Sequence, residues 1–199
     1  MRAFIAITLP DEVRAALAEL QRALAASRAD VKWVERDNLH VTLKFLGDIT
    51  DDQRQAVETM LRRLAELEEP FTLGVRELGA FPSATAPRVL WVGLDDGREQ
   101  AQRLAEAIER EGAALPLLKE ERPFAAHVTI GRVRSKSHRQ ELTRLLRGLG
   151  WQPPSPWRAT SLALYQSVLG SGGPRYTVLA DVPFARGVTA SRPPARRSR

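Results

Sequence analysis

Residues 1–9, MRAFIAITL, are dense in β-forming side chains and stop at Pro10, which predicts a strand. The spacing then changes. Val13, Leu17, Leu20 and Leu24 recur every three or four positions behind an acidic first turn, which predicts an amphipathic helix over 11–26. Residues 31–34 and 39–46 are two extended runs joined by Glu-Arg-Asp-Asn, the pattern of a hairpin. Thr50 and Gln53 are spaced as a capping box ahead of Val57, Met60, Leu61 and Leu64, so a second helix should run to the neighbourhood of Pro70. Residues 71–78 read as a strand, and GAFPSATAPR after them as a loop.

A second series follows. Residues 88–94 read as a strand, and Asp96 with Glu99 is placed to cap a helix that carries Leu104 and Ile108 as far as Gly112. Residues 126–133 are again a strand. Ser137 with Gln140 opens a helix bearing Leu142, Leu145, Leu146 and Leu149, and two closing strands, 159–168 and 175–182, flank the turn LGSGGP. The order strand, helix, strand, helix, strand thus occurs twice. It predicts an α+β fold of two lobes related by a pseudo-twofold, with two mostly antiparallel sheets and helices on their outer faces.

At the letter level one phrase repeats clearly. NLHVTLKF (38–45) and AAHVTIGR (125–132) both contain His-Val-Thr-aliphatic, and they hold two of the three histidines, 87 positions apart. Strand residues alternate faces, so His40, Thr42 and Lys44 are expected on one side and Val41, Leu43 and Phe45 on the other. His127 and Thr129 share a face in the same way, with Val128 and Ile130 packed behind. A chance recurrence of the three residues after a second histidine is below roughly one in a hundred at average residue usage. A duplicated structural strand would repeat its packing residues but has no reason to keep histidine on the polar side. His138 lacks this frame and is assigned to the surface.

If the lobes are related by a twofold, the two polar faces meet across one central groove with the imidazoles opposed. That suits the opening of a cyclic phosphate. One group must take a proton from water and another must protonate the departing oxygen, from opposite sides of phosphorus. Imidazole, with an ordinary pKa of about 6.5, holds either state near neutrality. The threonine hydroxyls can donate to the non-bridging oxygens. Lys44 either lends positive potential to this face or is simply solvated.

Composition limits the alternatives. The chain has 199 residues, enough to bury a core without staples, and 43% of them are apolar. It has no cysteine, so disulfides, thiolate metal sites and cysteine nucleophiles are excluded. No tight cluster of His, Asp and Glu suggests a metal site, and no apolar run is long enough to cross a membrane, so a cytoplasmic protein is expected. The net charge of +6 is uneven. Arg186, Arg192, Arg196, Arg197 and Arg199 supply five of the 30 basic residues and lie beyond the last acidic one, Asp181, so residues 1–185 are nearly neutral. Residues 186–199 read as a flexible basic tail, either a solvated terminus or a supplementary contact to RNA phosphates. The turn GSGGP lacks the Lys-Ser/Thr and following helix of a phosphate-binding P-loop.

The two motifs HVTL at 40 and HVTI at 127 resemble those of the two-histidine (2H) phosphoesterase superfamily. Around them MRAFIAITLP, NLHVTLKFLGDI, AFPS with PRVLWVGL, ERPFAAHVTIGR and LYQSVLGSGGPRYTVL resemble the bacterial and archaeal RNA 2′,3′-cyclic phosphodiesterases, also called 2′-5′ RNA ligases. The resemblance covers residues 1–182. It implies one bilobal domain over 1–185, each lobe carrying one motif, and hydrolysis of RNA 2′,3′-cyclic phosphate ends to 2′-phosphates without metal or other cofactor. It implies His40 as proton donor to the leaving O3′, His127 as acceptor of the proton of water, and Thr42, Thr129 and Arg132 as phosphate-binding residues. Strand alternation alone would turn Arg132 away from His127, so that role requires a bulge or strand end near Gly131. The expected partner is RNA with a cyclic terminus, with no membrane and no obligate protein partner, and the chain is read as a monomer. Phe4, Trp33, Phe81 and Tyr165 are candidates for stacking on a base. A phosphodiesterase of small cyclic nucleotides, or a non-catalytic module that binds RNA ends, are the alternative readings.

Overall fold

The computed structural model describes residues 1–119, 123–170 and 173–185. The tail reading therefore falls outside the described residues. In chain order the elements are β1 (Arg2–Thr8), α1 (Asp11–Ala25), β2 (Val31–Trp33), a 3-10 turn (Arg36–Asn38), β3 (His40–Asp48), α2 (Asp51–Leu67), β4 (Phe71–Leu73) and β5 (Val75–Phe81). There follow β6 (Val89–Leu94), α3 (Arg98–Gly112), β7 (His127–Val133), α4 (Arg139–Gly148), β8 (Trp157–Ala159), β9 (Ser161–Gly170) and β10 (Gly173–Pro183). The α+β architecture with antiparallel sheets is as expected.

The strands form one path, β10-β9-β1-β3-β7-β6-β5, with β2 added to β7, beside a small β4–β8 ribbon. The two sheets expected from the sequence are thus the two halves of this path. They join at a single pair, Val41 with Val128. Those are the same position of the two motifs, so the pseudo-twofold passes between them. The helices respect it by exchange. α1 packs on β7 and α4, whereas α3 packs on β3 and α2. Each half of the sheet is thereby covered by helices from both halves of the chain. Val13, Leu17, Leu20 and Leu24 of α1 and Leu104 and Ile108 of α3 enter one continuous core. Each fully buried Leu or Ile contributes roughly 1.5–3 kcal/mol.

The internal repeat is clearest in strand register. β1 and β3 pair as Thr8–His40, Ile7–Val41, Ala6–Thr42, Ile5–Lys44 and Phe4–Phe45. β6 and β7 pair as Gly93–His127, Val92–Val128, Trp91–Thr129, Leu90–Gly131 and Val89–Arg132. Both ladders skip one residue directly after the motif threonine, Leu43 in one and Ile130 in the other. Such a bulge reverses which face the following residues take. Leu43 and Lys44 are consequently both buried, while Phe45 is 48% exposed. Ile130 and Gly131 are likewise buried and Arg132 is exposed. The bulge required near Gly131 is therefore present.

The same bulge corrects two expectations. Lys44 does not share the face of His40; it is buried toward α3, where Nζ donates to Glu109 Oε2 and to the Leu118 carbonyl at 2.9 Å. Phe45 leaves the packed side. The hairpin of β2 with β3 is also not formed, because β2 pairs with β7 through Val31–Val133, Lys32–Arg132 and Trp33–Gly131. Gly131 permits this approach. A Cβ there would lie 2.8 Å from Val31 Cγ1 and 3.0 Å from the Trp33 ring. The α3 cap is Gly97, in the left-handed conformation at φ 71°, rather than Asp96; a Cβ at 97 would meet the Thr72 carbonyl at 2.2 Å. α4 is preceded by His138, exposed and left-handed, with Ser137 bonded to its ring rather than to the helix.

The capping box at Thr50 forms as expected: the Gln53 N–H donates to Thr50 Oγ1 at 3.2 Å and the Thr50 N–H donates to Gln53 Oε1 at 2.8 Å. Thr50→Ala should lower stability by about 1 kcal/mol, and Thr50→Ser should restore most of it, read from urea unfolding midpoints.

Candidate active site

Val41 and Val128 are fully buried, so the residues on either side of them point to the opposite face. These are His40, Thr42, His127 and Thr129. Extending the antiparallel Val41–Val128 register by one residue each way sets His40 opposite Thr129 and Thr42 opposite His127. The two imidazoles then stand in the diagonal relation, which spans roughly 7–8 Å in antiparallel sheets. Each motif thus brings its imidazole beside the other motif's hydroxyl.

A groove of about 520 Å³ opens on this face, bounded by His40, Thr42, Thr129 and Arg132 together with Phe45 and Tyr176. Its lining carries Arg2, Lys32 and Arg132 against one acid, Glu35. His127 does not itself bound this volume. It stands beside it, on the same face as Thr129. A larger hollow of about 730 Å³ next to the β4–β8 ribbon holds none of the motif residues.

Both imidazoles are held by the same device. His40 Nδ1 donates to the Asn38 carbonyl at 2.7 Å, and His127 Nδ1 donates to the Ala125 carbonyl at 2.6 Å. A carbonyl oxygen can only accept, so the proton of each neutral ring sits on Nδ1 and Nε2 is left as a base. Thr42 Oγ1 donates to His40 Nε2 at 2.8 Å. Asn38 is itself pinned, its side chain donating to the Pro174 carbonyl at 2.8 Å. Nothing in the sequence pattern pointed to Asn38.

Aromatic rings wall both sites. Phe4 stacks on His40 with centroids 4.7 Å apart, Tyr176 meets it edge-on at 5.4 Å, and Phe4 stacks in turn on Tyr165 at 5.1 Å. Phe81 meets His127 edge-on at 5.3 Å, with Trp91 at 6.3 Å. Trp91 lies flat on its cross-strand partner Gly79, where a Cβ would come within 2.3 Å of the indole. Loss of water among these rings pushes the His40 pKa down to about 4, against the pull of the Asn38 carbonyl, and His127 lowers it further. Burial also lowers His127, opposed by the Ala125 carbonyl, with the Arg132 charge adding to the depression.

Of the four aromatic candidates, Trp33 and Phe4 line the groove, Phe4 almost wholly buried against His40, and Phe81 is exposed, whereas Tyr165 stacks on Phe4 and takes no part in the lining. Tyr176 and Phe45, which the sequence reading does not single out, also line the groove. Phe45 is visible only through its offset from Arg132, which repeats the spacing of the two histidines. Among the described residues no group of three or more His, Cys, Asp or Glu is arranged to hold a metal ion.

The model of the LigT-like phosphoesterase family matches the chain twice, over residues 7–91 and 92–176, one match to each half of the repeat. A Methanothermobacter thermautotrophicus RNA 2′,3′-cyclic phosphodiesterase is 32% identical over 89% of this chain and 95% of its own length. The enzyme of that name from Aquifex aeolicus is 38% identical over 75% of this chain and 80% of its own length. Among solved structures, a Thermus thermophilus protein superposes with a TM-score of 0.78 at 31% identity, covering 93% of this chain and 98% of that one. Escherichia coli LigT in complex with 3′-AMP gives 0.72 at 27% identity with the same coverage.

Because the folded-state pKa of His40 lies below the unfolded value of about 6.5, the unfolded chain binds more protons between pH 6.5 and 4. This contribution to stability is complete above pH 6.5 and is lost as pH falls toward 4. Urea midpoints measured across that window should decline with acidification, and His40→Ala should flatten the decline.

Proposed function

The chain belongs to the LigT-like phosphoesterase family, and from that premise we propose that it opens 2′,3′-cyclic phosphate ends of RNA to leave 2′-phosphates. The observation that carries this reading is the duplicated imidazole: two histidines on one face, each tied by Nδ1 to a carbonyl two residues earlier and each keeping Nε2 for chemistry. Binding alone does not need an opposed pair of proton carriers. The relatives named RNA 2′,3′-cyclic phosphodiesterase supply the substrate class.

In the proposed reaction water attacks phosphorus, His127 Nε2 takes its proton, and the bond from phosphorus to O3′ breaks as His40 Nε2–H protonates that oxygen. Thr42 and Thr129 donate to the non-bridging oxygens, and Arg132 presents its guanidinium fork to them. His40 must be charged to act as the acid, yet its free pKa is about 4. The anionic phosphate resolves this, since an opposite charge within a few ångströms favours the protonated ring. Once Nε2 carries a proton it no longer accepts from Thr42, whose hydroxyl is then released toward phosphate. With a 5′-hydroxyl in place of water the same division of tasks, His127 taking the incoming proton and His40 protonating O3′, would join the cyclic end in a 2′-5′ linkage.

The test is an RNA oligomer ending in a 2′,3′-cyclic phosphate. A 2′-monoester product is expected, formed equally well in EDTA, and His40→Ala and His127→Ala should each lower kcat by roughly 10²–10⁴ while remaining folded. Undiminished turnover by either variant would falsify the assignment. A 3′-monoester would reverse which oxygen leaves. Equal kcat/KM for the oligomer and for mononucleoside 2′,3′-cyclic phosphates would favour the small-nucleotide reading.

A further inference from the structure

Two cations stand directly opposite one another where the groove passes from β7 to β2. Lys32 is the cross-strand partner of Arg132, and the flanking pairs Val31–Val133 and Trp33–Gly131 hold that register from both sides. Cross-strand partners share a face, and both side chains line the groove. Like charges in this relation repel, yet among the described residues neither Lys32 nor Arg132 has a carboxylate in an ion pair. Lys44, the lysine of β3, is by contrast paired with Glu109. Arg2, a third cation of the lining, has an acid, Asp48, as its partner on β3.

The Lys32 side chain is partly buried and reaches from β2 to β10. A Cβ on Gly173 would lie 3.1 Å from Lys32 Nζ and 3.4 Å from its Cε, so the ammonium rests against bare backbone at a residue whose φ of 137° favours glycine. The next carbonyl, that of Pro174, already accepts from the Asn38 side chain at 2.8 Å. An ammonium withdrawn from water costs free energy unless a partner satisfies it, and among the described residues no anion does so here. In the reaction proposed above, Arg132 is engaged by the cyclic phosphate together with the two threonines. A second cation beside it calls for a second negative charge. An RNA end carries one, the phosphodiester on the 5′ side of its last nucleotide. A mononucleoside 2′,3′-cyclic phosphate does not.

We infer that Lys32 binds the phosphodiester immediately upstream of the cyclic terminus, so that Arg132 and Lys32 hold successive phosphates of one strand and the pair selects RNA ends over mononucleotides. This rests on the phosphodiesterase reading above and adds a specificity-determining residue to it. A phosphate contact fixes register without reading sequence, so the selection is for chain length and not for the identity of the last bases.

Three substrates separate the possibilities: adenosine 2′,3′-cyclic phosphate, an adenosine dinucleotide ending in a 2′,3′-cyclic phosphate and 2′-O-methylated on its first ribose, and the same dinucleotide with a neutral methylphosphonate linkage. The unmodified protein should show its lowest KM for the charged dinucleotide. Lys32→Met should raise that KM by about tenfold with kcat within about twofold, should flatten its logarithmic dependence on salt concentration by about 0.7, and should leave the other two substrates unchanged. Lys32→Arg should behave as the unmodified protein, which also shows that the site tolerates substitution. An equal rise in KM for all three substrates, or no rise for the charged dinucleotide, overturns the assignment while leaving the phosphodiesterase reading intact. Failure of the unmodified protein to open any of these cyclic phosphates overturns both.

Discussion

One register contact between two valines organises this molecule. Val41 and Val128 are the only residues through which the two halves of the sheet pair among the described residues, and both are fully buried. Because they are the same position of a repeated motif, pairing them places the pseudo-twofold between them and makes the two halves meet as equals. Burial of the valine side chains toward the helices forces the flanking histidines and threonines onto the other face. A slip of one residue in either strand would turn one imidazole into the core. The packing energy of two apolar side chains thus fixes the direction of four polar ones.

Helix exchange reinforces that constraint. α1 covers the strand of the second motif and α3 covers the strand of the first, so neither half of the chain completes its own core. The contact at the valines is held from behind by both, and the positions of the two imidazoles are coupled through one continuous apolar cluster. The depressed pKa values of the histidines follow from the same arrangement. Aromatic rings on β1, β5, β6 and β10 remove water from the imidazoles, while the carbonyls of Asn38 and Ala125 fix which nitrogen faces outward.

Within this symmetric frame the two halves differ in the residues that the bulges deliver. The backbone device is identical, a skip at Leu43 and at Ile130, but it exposes an aromatic ring on one side and a cation on the other. Symmetry in the histidine pair suits the proposed displacement, which needs a proton carrier on each side of phosphorus. Asymmetry beside it suits a substrate whose two ends are chemically unlike.

Much of this was legible in the chain. Helical periodicity at Val13, Leu17, Leu20 and Leu24, the capping box at Thr50 and Gln53, and the repeated His-Val-Thr are local patterns, each set by the 3.6-residue or two-residue period of its own element. They gave the fold class, the repeat and the candidate histidines. Strand partners were not legible, because pairing joins residues far apart: β2 lies against β7, an approach that the bare backbone of Gly131 permits, despite its short link to β3. The face taken by Lys44, Phe45 and Arg132 was decided by a bulge that exists only relative to a neighbouring strand. Alternation along a sequence presumes an unbroken ladder, and only the assembled sheet determines where the ladder breaks.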